Sequence, residues 1–228
     1  MGVYEAVIFD LGGTLIDQST WEEQDRYIKQ MAGVLNLPYD DFLRFWRATY
    51  TERTKGSFGS VEKGIEYICQ RLHIPIEKSR IEAAANIPYE ITKRMIMSLK
   101  ESALEVISRI KSQGLKTGLI SNWSHHLPLV WKDGPLAPLI DVAVFSSSEG
   151  IMKPDQRIFV LATERLAVQP EECLYVADGM DQELSGATKA GLRAVMIRYP
   201  DLVDSNPYHE EWDGLVITSL KEVLSLVI

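Results

Sequence analysis

The sequence predicts an α/β protein built on a doubly wound parallel sheet and interrupted by a helical insertion. Short apolar runs recur at residues 6–9, 117–120, 142–145, 173–176 and 194–197. Each is apolar on successive residues instead of alternating, as strands covered on both faces are. Helical periodicity fills the intervals, through Leu104, Ile107 and Ile110 before the breaker Gly114, and through Ile158, Leu161 and Leu166 after Pro154. Strand alternating with helix is the pattern of a parallel sheet wound on both sides.

Residues 17–99 break that alternation, carrying helical periods and no convincing strand. Ile28, Met31 and Leu35 share one helix face, Phe42, Phe45, Trp46 and Thr49 another, and Val61, Ile65, Ile68 and Leu72 a third. The expected division is therefore a sheet domain from residues 1–16 and 100–228, with a helical domain over it from 17–99. Large apolar residues at helical spacing are first of all core. The turn from Gly56 to Gly59 is the expected flexible loop of this unit.

A chain of 228 residues can bury a sizeable core without disulfides. Its two cysteines, Cys69 and Cys173, fit neither a disulfide framework nor a zinc site and suit a reducing cytoplasm. Charged residues interrupt every apolar stretch before the roughly 20 needed to cross a bilayer. The net charge of -8 disfavours nucleic acid and anionic membranes as partners and leaves room for a small anionic substrate held with a local metal.

The chemistry-bearing residues fall where these strands end, which is where doubly wound sheets bind ligands. Asp10 closes the first run, followed by Gly12 and Gly13, which let main-chain N–H groups approach an anion, and by Thr14, a hydroxyl donor. Ser121 and Asn122 follow the second run and can hydrogen-bond phosphoryl oxygens. Lys153 precedes Pro154, a residue suited to the first position of a helix, and can neutralise phosphate charge. Asp178, Asp181 and Glu183 follow the fourth run. Carboxylates gathered near Asp10 repel one another unless a hard divalent cation binds them, and magnesium is the natural candidate. Asp181 is better read as a helix cap, and Asp178 and Glu183 as metal-ligand candidates.

In this order, Asp10 to Thr14, Ser121, Lys153-Pro154, and Asp178 with Glu183 resemble the four motifs of the haloacid dehalogenase superfamily, over almost the whole chain. The resemblance implies a Rossmann-like core with an inserted helical cap. It implies that Asp10 is a nucleophile and magnesium ligand, that Gly12 lends a carbonyl to the metal, and that Asp178 completes the protein ligands. Thr14, Ser121 and Lys153 would hold the phosphoryl group of a small phosphorylated substrate, and Glu183 would orient Lys153 or a metal-bound water.

One departure stands out. Phosphatases of that superfamily usually carry a second aspartate two residues after the nucleophile, and here that residue is Gly12. Losing general acid–base assistance typically costs about 10²–10⁴-fold. A magnesium-dependent phosphohydrolase is the leading reading. Its competitors are a non-catalytic phosphate-binding or regulatory protein, a carbon–halogen hydrolase and, more remotely, a phosphonate-cleaving enzyme using a lysine among Lys29, Lys55, Lys63 and Lys93. Asp17 is expected in a loop or hinge, His125 and His126 in a surface or loop role in place of metal binding, and Trp123 and Trp131 either at the pocket mouth or packed beneath the insertion.

Overall fold

A computed structural model describes residues 4–200 and 209–227; the outer ends of the expected sheet domain and residues 201–208 lie outside the described residues. The chain runs β1 (Ala6–Phe9), then α1 (Trp21–Leu35), α2 (Tyr39–Ala48), α3 (Tyr50–Thr54), α4 (Val61–Arg71) and α5 (Lys78–Met95). It continues α6 (Ala103–Ser112), β2 (Lys116–Ser121), α7 (His126–Val130), β3 (Val142–Phe145), α8 (Ser146–Glu149) and α9 (Gln156–Leu166). It closes with β4 (Cys173–Ala177), α10 (Glu183–Lys189), β5 (Arg193–Ile197), β6 (Val216–Ile217) and α11 (Lys221–Val227).

The sheet has the order β3-β2-β1-β4-β5-β6, and every pairing is parallel. Alternate residues of β1 feed two cores. Val7 and Phe9 pack with Val106, Ile107 and Ile110 of α6, while Ala6 and Ile8 pack with Ile158, Phe159 and Ala162 of α9. That burial on both faces explains the unbroken apolar runs. The strand order reverses between β1 and β4, so the loops after these two strands flank the crevice in which such sheets bind ligands.

Helices α1, α2, α4 and α5 have an apolar core of their own, including Met31, Leu35, Phe42, Trp46, Ile65, Ile68 and Ala84. Helix α1 starts at a reciprocal capping box in which Thr20 and Glu23 satisfy each other's backbone N–H. Ile16 and Leu99 pair in an antiparallel bridge where the chain leaves the sheet and returns to it. Asp17, expected in a loop or hinge, lies at this crossing and is ion-paired to Lys100 at 2.5 Å.

Several expectations are corrected. Leu104 faces solvent, and the inward face of α6 is formed by Ala103, Val106, Ile107 and Ile110. Pro154 is not a first helical residue: it follows a cis peptide bond from Lys153, and α9 begins at Gln156 with Asp155 as its cap. The turn at Gly56 is docked, because its carbonyl accepts from His125 Nε2 at 3.0 Å and a Cβ there would stand 2.1 Å from the Ser147 carbonyl oxygen. Helix α5, with Pro88 inside it, and the short β6 and α11 carry too weak a pattern to have been read in advance.

Among the described residues no helix is long and apolar enough to cross a membrane. Phe159 meets the Tyr175 ring edge-on at 5.2 Å in the α9–β4 core. Phe159→Ala should therefore lower stability by about 3–5 kcal/mol in urea melts, whereas Leu104→Ala should change it by less than about 0.5 kcal/mol.

Candidate active site

Asp10 directly follows β1 and is buried, its backbone N–H still bonded to Val176 O at 3.0 Å. The chain then folds back on itself: Gly13 N–H reaches Ile16 O at 2.9 Å, and Leu15 and Ile16 both return to Leu11 O. Gly13 has φ +78°, and a Cβ there would lie 2.0 Å from Asp178 Oδ2, so this loop and the loop after β4 are in direct contact. Gly12 differs. It lies outside the left-handed region, and its Cβ would meet only the Trp123 ring, at an ordinary 3.5 Å.

Lys153 joins the carboxylates. Its buried ammonium donates to Asp10 Oδ1 at 2.5 Å, to Glu183 Oε2, and to Ile120 O and the Tyr175 hydroxyl at 3.3 Å each. Tyr175 in turn donates to Glu183 Oε2 at 2.7 Å, and Gly179 N–H donates to Glu183 Oε1 at 3.2 Å. Asp178 Oδ1 accepts from Met180 N–H at 3.1 Å, and its Oδ2 lies 3.4 Å from His209 Nε2.

Asp10, Asp178 and Glu183 each offer an oxygen within 4.8 Å of the others. Three buried carboxylates thus gather beside one ammonium, which touches two of them. Burial raises the Asp10 carboxyl to about 6; Lys153 opposes the rise and Asp178 adds to it. Glu183 is pushed well above the carboxylate range, again chiefly by burial. Lys153 moves up despite its burial, because both carboxylates favour the charged form.

The remaining predicted residues divide. Ser121 is buried at the end of β2. Thr14 Oγ1 is buried without a hydrogen-bond partner among the described residues, a state that a bound oxyanion or ion relieves. Asn122 spends its side chain on protein: Oδ1 accepts from Lys153 N–H at 2.9 Å, and Nδ2 donates to Lys153 O at 3.1 Å and to Asp181 Oδ2 at 2.8 Å. Asp181 does not cap α10, which has no side-chain cap bond from its leading residue; Glu210 instead accepts from Leu184 N–H at 2.7 Å.

Contacts between the insertion and the strand-end loops complete the surroundings. Tyr50 of α3 lies 3.4 Å from Asp181 Oδ2, Ser146 Oγ donates to Thr54 O at 2.7 Å, and Trp123 Nε1 donates to Thr92 Oγ1 of α5 at 3.3 Å. Trp123 therefore stands over Gly12, while Trp131 is core, edge-on to Phe145. His126 is buried and not at the surface, and burial with help from nearby Arg53 and His125 lowers its pKa to about 3. Lys29, Lys63 and Lys93 are exposed. Sequence reasoning missed Tyr175, His209, Glu210 and Tyr50. Of these, only Tyr175 sits inside a recognised strand, where a hydroxyl in an apolar run was the available signal.

A family model for haloacid dehalogenase-like hydrolases matches residues 4–191. The chain belongs to this family. The glyceraldehyde 3-phosphate phosphatase of Pyrococcus furiosus is 25% identical over 232 residues, covering 98% of this chain and 92% of that protein. The (S)-2-haloacid dehalogenase of Pseudomonas fluorescens is 24% identical over 226 residues, covering 90% and 91%. A HAD phosphatase structure from Thermococcus onnurineus superposes with a TM-score of 0.66 at 20% identity and 97% coverage of both chains, which establishes the shared fold.

The two glycines make opposite predictions. Gly13→Ala should cost more than about 2 kcal/mol from its left-handed backbone and the collision with Asp178, while Gly12→Ala should cost less than about 1 kcal/mol, as thermal or urea melts will read. His126 supplies a pH test. Its folded pKa of about 3 lies below the ordinary 6.5, so its stabilisation is complete above pH 6.5 and is lost as the pH falls toward 3. Between pH 7 and 5 this amounts to about 2 kcal/mol, and His126→Gln should flatten the acid-side fall in stability by that amount; an unchanged slope would refute the assignment.

Proposed function

We propose that this protein is a magnesium-dependent phosphohydrolase acting on a small phosphorylated metabolite through an aspartyl-phosphate on Asp10, with residues 17–99 acting as a cap over the site. The observation that carries this reading is the buried meeting of Asp10, Asp178 and Glu183 around one lysine. One ammonium does not balance three carboxylates at such depth, and a hard cation does.

The donor set fits that cation. Asp10 and Asp178 bring carboxylate oxygens, and Gly12 is the family's position for a carbonyl ligand. Glu183, whose two oxygens already take bonds from Lys153, Tyr175 and Gly179, is better suited to anchoring Lys153 than to ligation. Bound magnesium would neutralise charge at the carboxylates and on the phosphoryl oxygens. Asp10 attacks phosphorus with a carboxylate oxygen; the bond from phosphorus to the leaving oxygen breaks, and its electron pair stays with that oxygen. Lys153, Ser121 and the unpartnered Thr14 hydroxyl hold the phosphoryl oxygens. Water then attacks the phosphorus of the acyl phosphate, returning inorganic phosphate and the Asp10 carboxylate. With Gly12 where an acid usually stands, the leaving oxygen takes its proton from solvent, which favours acyl phosphates and esters of acidic alcohols.

Carbon–halogen hydrolysis is the second reading, favoured by Gly12 and by the dehalogenase relative, since halide leaves without a proton. The two separate on magnesium dependence and on the product released. Millimolar magnesium should raise the melting temperature, and at 100 times its dissociation constant it should add about 2.7 kcal/mol; Asp178→Ala should abolish the shift. Release of inorganic phosphate should require magnesium and vanish in Asp10→Asn. Magnesium-independent release of halide from 2-haloacids, with no phosphate release, would select the second reading. Gly12→Asp should accelerate alkyl phosphate hydrolysis at least about tenfold while leaving acyl phosphates nearly unchanged; equal rates in Gly12→Asp and Gly12→Ala would remove the missing acid from the account.

A further inference from the structure

Asn122 grips both main-chain polar groups of Lys153 with one amide, and its remaining donor capacity goes to Asp181. Asp181 and Gln182 are consecutive non-glycine residues in the left-handed region, each at φ 55°. L-residues adopt that region sparingly, and two in succession fix the path of the loop. Here the strained pair turns the Asp181 carboxylate back toward Asn122 and away from the helix end that Glu210 serves. The same Asp181 oxygen meets the Tyr50 hydroxyl of the helical insertion. A continuous line of hydrogen bonds therefore runs from the insertion, through two strand-end loops, to the backbone of the lysine that touches Asp10.

We propose that Asn122 and Asp181 are positioning residues that seat Lys153 against the phosphoryl group, with Tyr50 tying that seat to the docked insertion. Asn122 then acts on substrate only through Lys153. This rests on the phosphohydrolase reading for its kinetic consequences but not for its binding consequences. An ammonium displaced by about 1 Å loses up to about 10²-fold in rate, so a short amide whose two bonds fix the lysine's backbone has large leverage.

The first test is a double-mutant cycle on binding of inorganic phosphate in the presence of magnesium, read by calorimetry. Asn122→Ala should weaken binding about tenfold in the wild-type background and have no further effect in Lys153→Met. An equal loss in both backgrounds would make Asn122 a direct ligand and overturn the proposal, as would no loss in either. The second test separates positioning from folding. Asp181→Gly relieves the left-handed strain, so its melting temperature should change little while kcat on an acyl phosphate falls about tenfold. Loss of stability with kcat unchanged would assign Asp181 a purely structural role. Tyr50→Phe should lower the same kcat about threefold, and an unaltered kcat would remove the insertion from the chain of contacts. Should the wild type release no phosphate while the binding cycle behaves as expected, the phosphohydrolase reading falls and the seating of Lys153 stands. Phosphate release together with an additive cycle would do the opposite, keeping the phosphohydrolase and overturning the seating.

Discussion

The site depends on a single buried ammonium. Among the described residues Lys153 is the one cation ion-paired with Asp10 and Glu183, and without it those two buried carboxylates would have only hydrogen bonds as partners. Removing one partner from a buried ion pair costs far more than the pair contributes, since the other charge stays behind uncompensated. Each element around it reads as a means of holding that arrangement. Tyr175 and Gly179 fix Glu183, Asn122 fixes the lysine's backbone, and the contact between Gly13 and Asp178 fixes the spacing of the two loops that flank the crevice.

The sheet makes this possible by ordinary means. Strands β1 and β4 are neighbours with reversed outward connections, so two loops from distant parts of the sequence begin side by side. Parallel pairing fixes their register residue by residue, from Ala6 against Cys173 to Phe9 against Val176. Asp10 and Asp178 then follow at positions set by strand length, both of them buried. Family membership and this geometry place the chain among hydrolases.

What could be read from sequence follows a physical divide. The five longer strands showed themselves because burial on both faces demands uninterrupted apolar residues, and the site residues because parallel strands must end in loops at one edge. β6 spans only Val216–Ile217, too short for any period, and α11 follows it directly. Leu104 misled because one apolar residue at the right spacing does not fix the phase of a helix. Pro154 misled because a proline suits both a helix start and the turn before one. Asp181 misled most instructively: its backbone conformation is one that composition gives no reason to expect, and with it the carboxylate changes partner from the helix end to Asn122. Contacts between side chains far apart in sequence, such as Tyr50 with Asp181 or His209 with Asp178, have no one-dimensional trace.

The seam between the insertion and the sheet has a composition of its own. Two of its bonds, from Ser146 and from His125, end on the carbonyl oxygens of Thr54 and Gly56, acceptors that every residue type carries. The identity of residue 54 is thus free of that bond, whereas residue 56 is not: its φ is +71°, and a Cβ there would lie 2.1 Å from the Ser147 oxygen, so only glycine fits. The bond to Thr54 survives any exchange of that side chain, whereas the bonds from Trp123 to Thr92 and between Tyr50 and Asp181 are lost with theirs. Adhesion at the seam is thus part backbone and part side chain, and Gly56 is where the backbone part admits no substitution.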